Sequence, residues 1–191
     1  MLARLWRIYD AAYRWFHGLE DLPTERGTVL RIGVARYRGR RVALRDGTVV
    51  RAGDRIGTLH FHNEAVAAIH DGKSDSVRSG ILILRGFERS LKILARLSED
   101  HPRYQSVKAL TALTIFHQGA ERFGFEIHPP LSGPLNRIVS AYQRLLLARF
   151  HPLGRGRESR KKFEARAIWA STNEIRRRYG GDKSSPSGTR A

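Results

Sequence analysis

Cysteine is absent from the sequence, and this absence excludes several classes of protein. A chain without cysteine forms no disulfide scaffold, zinc finger or iron–sulfur cluster, and it has no thiol nucleophile. Long hydrophobic runs are missing too, because no window of about 18 residues, the length that a membrane-spanning helix needs, is continuously apolar. The N-terminal stretch is interrupted by Asp10 and several arginines, so it does not resemble a signal peptide. We therefore expect a cytoplasmic protein.

Length and composition favour one folded domain. The chain has 191 residues, of which 41% are hydrophobic, enough for a substantial core. Its 18 glycines and 7 prolines are too few for a collagen-like or largely disordered protein. We expect a single domain over residues 1–180, with a core at about 27–150, a basic C-terminal extension at 151–180 and a disordered tail at 181–191.

Positive charge is the most pronounced property of the composition. Lysine and arginine number 35 against 18 acidic residues, which gives a net charge of +17. Much of the excess lies in residues 27–55, where eight arginines face Asp46 and Asp54, and in residues 151–191. This balance favours an anionic membrane surface, a phosphorylated or glycan-linked ligand, or nucleic acid as partner. A genome rich in G and C would give the same arginine bias without any partner, so composition leaves both interpretations open.

The first half of the chain reads as a helix followed by strands. An amphipathic helix is expected at residues 2–17. Asp46-Gly47 is a typical hairpin turn, and Gly53-Asp54 marks a second turn. Apolar residues alternate around these turns, as in half-buried strands. Four strands are expected, at Thr28–Tyr37, Arg41–Leu44, Thr48–Arg51 and Ile56–His62.

The second half reads mainly as helix. Asn63 is expected to cap a short helix through Glu64–His70, and Asp71–Ser79 to form a loop. A helix from Phe87 ends before Pro102, while Ile81–Leu84 and Val107–Phe116 fit either helix or strand. Three further elements are expected: a strand at Phe125–Ile127, an amphipathic helix at 135–150, and a helix that Ser171 caps with Glu174 and that runs to Tyr179. The predicted fold is therefore α+β, a small antiparallel sheet packed with helices, with an amphipathic N-terminal helix and a basic helical C-terminal extension.

Histidine supplies most of the available chemistry. His60 and His62 occupy alternate positions of a predicted strand, so both imidazoles project from one face. This spacing suits two ligands of one metal, or a base with an orienting partner. His117 and His128 follow other predicted elements and could converge on the same site. Ordinary structural histidines are the alternative, because no recognised metal or nucleophile motif occurs. The sequence indicates no particular cofactor and leaves the metal content open.

Several short motifs carry a resemblance to a known family. The pairs Asp46-Gly47 and Gly53-Asp54 precede Leu59-His60-Phe61-His62-Asn63, and His117-Gln118-Gly119-Ala120 precedes Gly124-Phe125-Glu126. On these motifs the chain resembles the YkoP-like family, a bacterial domain found alone or fused behind a polysaccharide deacetylase module. The resemblance extends over most of residues 2–180 and implies a cell-envelope context. It marks six motif positions: His60, His62, Asn63, His117, Gly119 and Gly124.

Deacetylase chemistry does not transfer with the resemblance. That chemistry uses a metal held by an aspartate and two histidines, introduced by an adjacent pair of aspartates. Neither an Asp-Asp pair nor an H-x-x-x-H spacing occurs in this sequence. The chain corresponds to the partner domain of such fusions.

Three functions fit these observations. The first is a cell-envelope-associated domain that binds an anionic lipid-like or glycan-linked ligand through a histidine-lined pocket and a basic surface. The second is a histidine-dependent hydrolase or transferase acting on envelope precursors, with His60 or His62 as base, the other as its orienter, and His117 opposite. The third is a non-specific nucleic-acid binder, although no helix-turn-helix, zinc-finger or RNP-type motif occurs.

Two segments bear on membrane association. The helix at 2–17 carries tryptophan and tyrosine among arginines, and a basic run extends from Arg155 to Lys162. Both patterns are typical of a peripheral membrane surface, here at the inner face of the membrane, although docked helices and solvated basic runs look the same. Together with the three histidines, the candidate ligand-binding residues are Asn63, Thr114, His128, Arg155, Lys161 and Lys162.

Overall fold

The computed structural model describes residues 19–22, 27–71, 76–129 and 165–181. Over these ranges the fold is α+β, a sheet rich in antiparallel pairs and packed with helices, which confirms the predicted class. Four predictions fall outside the described residues: the helices at 2–17 and 135–150, the basic run at 155–162, and disorder after residue 181.

Eight strands and four α-helices make up the described structure. The strands are β1 (Leu19–Asp21), β2 (Leu30–Arg36), β3 (Val42–Ala43), β4 (Val49–Val50), β5 (Arg55–Phe61), β6 (Ala109–Thr114), β7 (Glu126–Ile127) and β8 (Arg166–Ser171). The helices are α1 (Asn63–Asp71), α2 (Ser76–Asp100), α3 (Pro102–Gln105) and α4 (Thr172–Tyr179), with a 3₁₀ turn at Ala120–Phe123.

Six of the strands form the main sheet, in the order β1-β2-β5-β6-β8-β7. All neighbours are antiparallel except β5 and β6, which run parallel and are connected by α1, α2 and α3. Strand β8 lies between β6 and β7, although about 50 residues separate it from β6 along the chain. The described part of the C-terminal extension is helical over Thr172–Tyr179, as expected, and this helix follows a sheet strand, Arg166–Ser171, that the sequence did not indicate.

Each face of the sheet has its own apolar cluster. On one face, residues such as Ile32 and Leu110 pack with Leu91 of α2 and Ile175 of α4 in the larger core. On the other face, the β3–β4 hairpin covers a smaller cluster that includes Trp169. Because both faces of the central strands are covered, consecutive residues are buried in them, as at Leu30–Gly33 of β2.

Local predictions agree with the structure at the turns and differ in the helices. The Asp46-Gly47 hairpin is confirmed, and Gly47 adopts the positive φ of 85° that favours glycine. Part of the predicted loop at Asp71–Ser79 is wrong, because α2 already begins at Ser76. Of the two ambiguous runs, Ile81–Leu84 is helical, whereas Val107–Phe116 supplies strand β6.

None of the described helices combines the length and the hydrophobicity needed to cross a bilayer.

Candidate functional site

His60 and His62 lie at the C-terminal end of β5, beside the start of β2. The register pairs His60 with Arg31, and Arg31 in turn with Asp21 of the edge strand β1. Arg31 is only 2% exposed, whereas both imidazoles are half-buried. The sheet thus places a buried guanidinium next to two imidazoles that are partly accessible, which is the degree of exposure expected of a binding site.

His62 makes two contacts through its ring. The backbone N–H of Ala65 donates to Nδ1 at 3.0 Å, and Nη2 of Arg31 lies 3.1 Å from Nε2. The backbone N–H of Val66 also donates to the His62 carbonyl at 3.0 Å. His62 therefore caps α1, and the expectation that Asn63 is the cap is wrong, because Asn63 is already the first helical residue.

Each ring nitrogen of His62 thus lies beside an N–H group, Nδ1 beside that of Ala65 and Nε2 beside that of Arg31. A neutral imidazole has one donor nitrogen and one acceptor nitrogen. Which of the two nitrogens accepts therefore depends on the tautomer of the ring. A guanidinium carries five N–H donors, a geometry complementary to the oxygens of an anion.

The parallel pairing of β5 and β6 brings His117 to the same end of the sheet. Strand β6 ends at Thr114, which is 7% exposed and whose Oγ1 accepts a hydrogen bond from the Phe116 N–H at 3.0 Å. The Phe116 ring meets Phe61 edge-on, with centroids 6.1 Å apart. His117 follows and is 9% exposed, so it is more enclosed than the histidines of β5. That the three histidines line one concave site stays a prediction.

Two further side chains lie at this end. The backbone N–H of His128 donates to the Ala167 carbonyl at 2.9 Å, and its half-buried ring lies 6.5 Å from that of Trp169. Arg166 pairs with Thr114, and its Nε is buried without a hydrogen-bond acceptor in the described part of the chain. We use the name histidine end for this region, which comprises Arg31, His60, His62, Thr114, His117, His128 and Arg166.

Among the residues that the structure describes, no group of three or more histidine, aspartate or glutamate side chains is placed to hold a metal ion. Of the candidate ligand-binding residues, Arg155, Lys161 and Lys162 lie outside the described ranges.

The opposite end of the sheet carries a polar groove that sequence reasoning missed. Its volume is about 470 Å³. It lies between the β3–β4 turn, the starts of β5 and β6, and the first turns of α4. Its charged lining residues are Asp54, Arg55, Lys108 and Arg176.

Side-chain hydrogen bonds hold the walls of this groove together. Lys108 Nζ lies 3.0 Å from the Asp54 carboxylate, which also accepts the Arg51 backbone N–H at 2.8 Å. The bonds from Arg51 and then from Lys108 lower the pKa of Asp54 below its usual value. Thr172 Oγ1 donates to the Val107 carbonyl at 2.6 Å. Asp54 belongs to the Gly53-Asp54 motif. The sequence therefore predicted the turn that forms one wall of the groove, but it did not predict the groove.

The architecture is that of a small α+β domain whose polar residues collect at the two ends of a mixed sheet. The chain belongs to the YkoP domain family, whose model matches residues 1–179, and the family expected from the motifs is thereby confirmed. It is 28% identical over 128 residues to Uncharacterized protein YkoP of Bacillus subtilis (strain 168), which covers 67% of this chain and 70% of that bacterial protein. No solved structure was found to match the chain.

Proposed function

We propose that this chain is an envelope-associated binding domain for an anionic, phosphate-bearing ligand, such as a lipid or glycan-linked headgroup. The observation that supports the proposal is the buried guanidinium of Arg31 at the histidine end, whose Nη2 lies 3.1 Å from Nε2 of His62. Oxygens of a phosphate group accept hydrogen bonds from a guanidinium. His60 and His62 beside it are half-buried, so their rings are partly accessible.

The surroundings favour an anion at this point. His62 lies at the N-terminus of α1, where the helix dipole favours negative charge. Arg166 adds a second guanidinium at the same end, and the whole chain carries +17.

Binding is favoured over the alternative of a histidine-dependent hydrolase or transferase. Both ring nitrogens of His62 are already engaged, by Ala65 and by Arg31, so this ring is better suited to orienting a ligand than to accepting a proton. If the enzyme alternative holds, His60 is the residue left to act as base. Non-specific nucleic-acid binding remains the third proposal, and its support is the net charge alone.

The experiment compares the histidine end with the groove. His62→Asn keeps a good helix cap and removes the ring nitrogen that faces Arg31. Arg55→Gln removes a charge from the groove and serves as the matched control. The probes are inorganic phosphate and glycerol 3-phosphate, titrated by NMR chemical-shift perturbation.

We expect the wild type to bind both probes and His62→Asn to bind them roughly tenfold more weakly, as for one lost hydrogen bond to a charged group. Arg55→Gln should bind like the wild type. Weaker binding by Arg55→Gln together with unchanged binding by His62→Asn would place the ligand in the groove instead. A wild-type spectrum that does not change at millimolar phosphate would refute the proposal.

Association with the inner face of the membrane is part of the same proposal. Its support is the basic run of five cations between Arg155 and Lys162, which at about 1 kcal/mol each near an anionic surface would hold the protein there. Glutamine at all five positions should weaken binding to anionic vesicles while the fold stays intact. An unchanged vesicle affinity would remove this run from the proposal.

A further inference from the structure

The first half of α2 exposes large apolar side chains. Val77 is 66% exposed, Ile81 45%, Leu82 39% and Leu84 54%. A single exposed aliphatic residue is normal on a protein surface. Four of them within eight residues of one helix form a patch, and such patches mark interaction sites.

The orientation of α2 shows that this patch faces away from the core. Val77, Ile81 and Leu84 recur at helical spacing on one side of the helix. The opposite side is docked on the sheet: Gly86 approaches Val29 so closely that an added Cβ would lie 2.7 Å from Val29 Cγ1. One side of the helix therefore packs on the domain, and the side that carries Val77, Ile81 and Leu84 faces outward.

Arginine is interspersed with the apolar residues. Arg78 and Arg85 are both exposed within the patch, and no acidic residue occurs between Ser76 and Phe87. The first acidic residue of the helix, Glu88, pairs with Lys92 at 3.4 Å. The patch therefore combines apolar side chains with cations. This combination complements the surface of an anionic lipid bilayer, in which charged headgroups lie above apolar acyl chains.

An aromatic cluster extends the apolar surface toward the histidine end. Phe116 is 52% exposed and contacts Phe61, which in turn contacts Phe87 of α2, both with ring centroids 6.1 Å apart. The apolar surface of the helix thus continues through Phe87 and Phe61 to the exposed ring of Phe116.

We infer that residues 77–85 of α2 form the surface with which the protein docks on an anionic lipid bilayer. The aliphatic side chains enter the boundary between headgroups and acyl chains, and Arg78 and Arg85 contact lipid phosphates. This deepens the membrane part of the proposed function, because it assigns the contact to a surface other than the run at 155–162. It requires neither that run nor ligand binding at the histidine end.

The test measures partition of the full chain onto sedimented vesicles. One set of vesicles contains equal amounts of phosphatidylglycerol and phosphatidylcholine, and the other contains phosphatidylcholine only. The charge variant is R78Q/R85Q, and the apolar variant is I81S/L84S. The matched control is R38Q/R40Q, which removes the same charge from exposed arginines between β2 and β3.

We expect the wild type to bind the anionic vesicles far better than the neutral ones. R78Q/R85Q should lower that partition at least tenfold, since each cation near the surface contributes about 1 kcal/mol. I81S/L84S should cause a similar loss, and R38Q/R40Q should stay within about twofold of the wild type.

Equal losses for the charge variant and its control would overturn the inference, as would full binding by I81S/L84S. Failure of the wild type to bind the anionic vesicles would also overturn the inference, and the patch would then be a candidate surface for a protein partner. Phosphate titration of both α2 variants separates this inference from the proposed function, because both should keep the wild-type phosphate affinity.

Discussion

The carboxylate of Asp46 accepts a hydrogen bond from the hydroxyl of Ser171, which lies 125 residues further along the chain. The same carboxylate holds its own turn, because the Thr48 backbone N–H donates to it at 2.9 Å. Ser171 Oγ in turn accepts the Glu174 N–H at 2.9 Å and so caps α4. One polar contact therefore connects the β3–β4 hairpin with the end of β8 and the start of α4.

Replacement of Ser171 by alanine should destabilise the protein. The variant loses the α4 cap and leaves Asp46 with one hydrogen bond fewer, so we expect a decrease in the free energy of unfolding of about 1–2 kcal/mol. Urea denaturation of S171A, D46A and the double variant measures the coupling. The double variant should lose less than the two single losses added together, and strict additivity would show that the contact contributes nothing.

Stability should fall in acid, and Asp46 should account for part of the loss. Burial raises the pKa of Asp46, but the hydrogen bonds from Ser171 and Thr48 outweigh it, so the pKa lies below the ordinary 3.8. The bonds from Arg177 and Arg178 likewise lower the pKa of Glu174. A carboxylate whose folded pKa lies below the unfolded one stabilises the protein above the unfolded pKa, and this contribution disappears as the pH falls through the folded pKa.

The window for this effect therefore runs from about pH 4 downward. Melting temperatures between pH 7 and pH 2.5 should decrease within it, and D46N should show a smaller decrease because asparagine has no proton to bind. Parallel curves for D46N and wild type would contradict the assignment.

Two glycines of α2 should respond in opposite directions to alanine. Nothing lies within 4 Å of a Cβ built on Gly80, whereas one on Gly86 would lie 2.7 Å from Val29 Cγ1 and 2.8 Å from the Gly27 carbonyl oxygen. Gly80→Ala should raise the free energy of unfolding by up to about 1 kcal/mol, the gain in helix propensity. Gly86→Ala should lower it by about 1–3 kcal/mol, because backbone cannot move aside cheaply. Stabilisation by both variants, measured by thermal melting, would refute the close packing of α2 on Gly27 and Val29, just before β2.

The helix-capping role of His62 predicts a rescue. H62A should lower the stability by about 1 kcal/mol, and H62N should restore most of it, because asparagine is a good cap and alanine is not. Urea midpoints of the two variants provide the measurement. Equal destabilisation would mean that Nδ1 of His62 contributes nothing to α1, and H62N would then lose its value as the variant for the phosphate titration.

Strands whose signals are local were predictable from the sequence, and strand β8 was not. Strands β2 and β5 follow from alternating residues and from the turns around them. Strand β8 ends in four consecutive buried residues, Ile168–Ser171, so it has no alternation to detect. The start of α2 was ambiguous for another reason: Ile81–Leu84 is continuously apolar, yet the helix leaves three of its four residues exposed.

The candidate site was predictable only in part. Strand spacing predicted that His60 and His62 share one face, and the structure has His60 near the end of β5 and His62 directly after the strand, as the cap of α1. The contribution of Arg31 depends on the register between β2 and β5, which a single sequence does not reveal. Asn63 looked like the better helix cap because asparagine commonly plays that role, but the helix begins one residue earlier and assigns the cap to its histidine neighbour.

The position of β8 determines when the sheet can be completed during synthesis. After residue 129 has been made, β6 and β7 exist but lack the strand that joins them. Until Arg166–Ser171 has been synthesised, one edge of β6 has no strand to pair with, and core residues beside it stay exposed. Unpaired strand edges of this kind can pair with strands of other chains. A nascent or truncated chain that stops before residue 166 is therefore a natural client for a holdase chaperone, and native closure waits for the C-terminal strand.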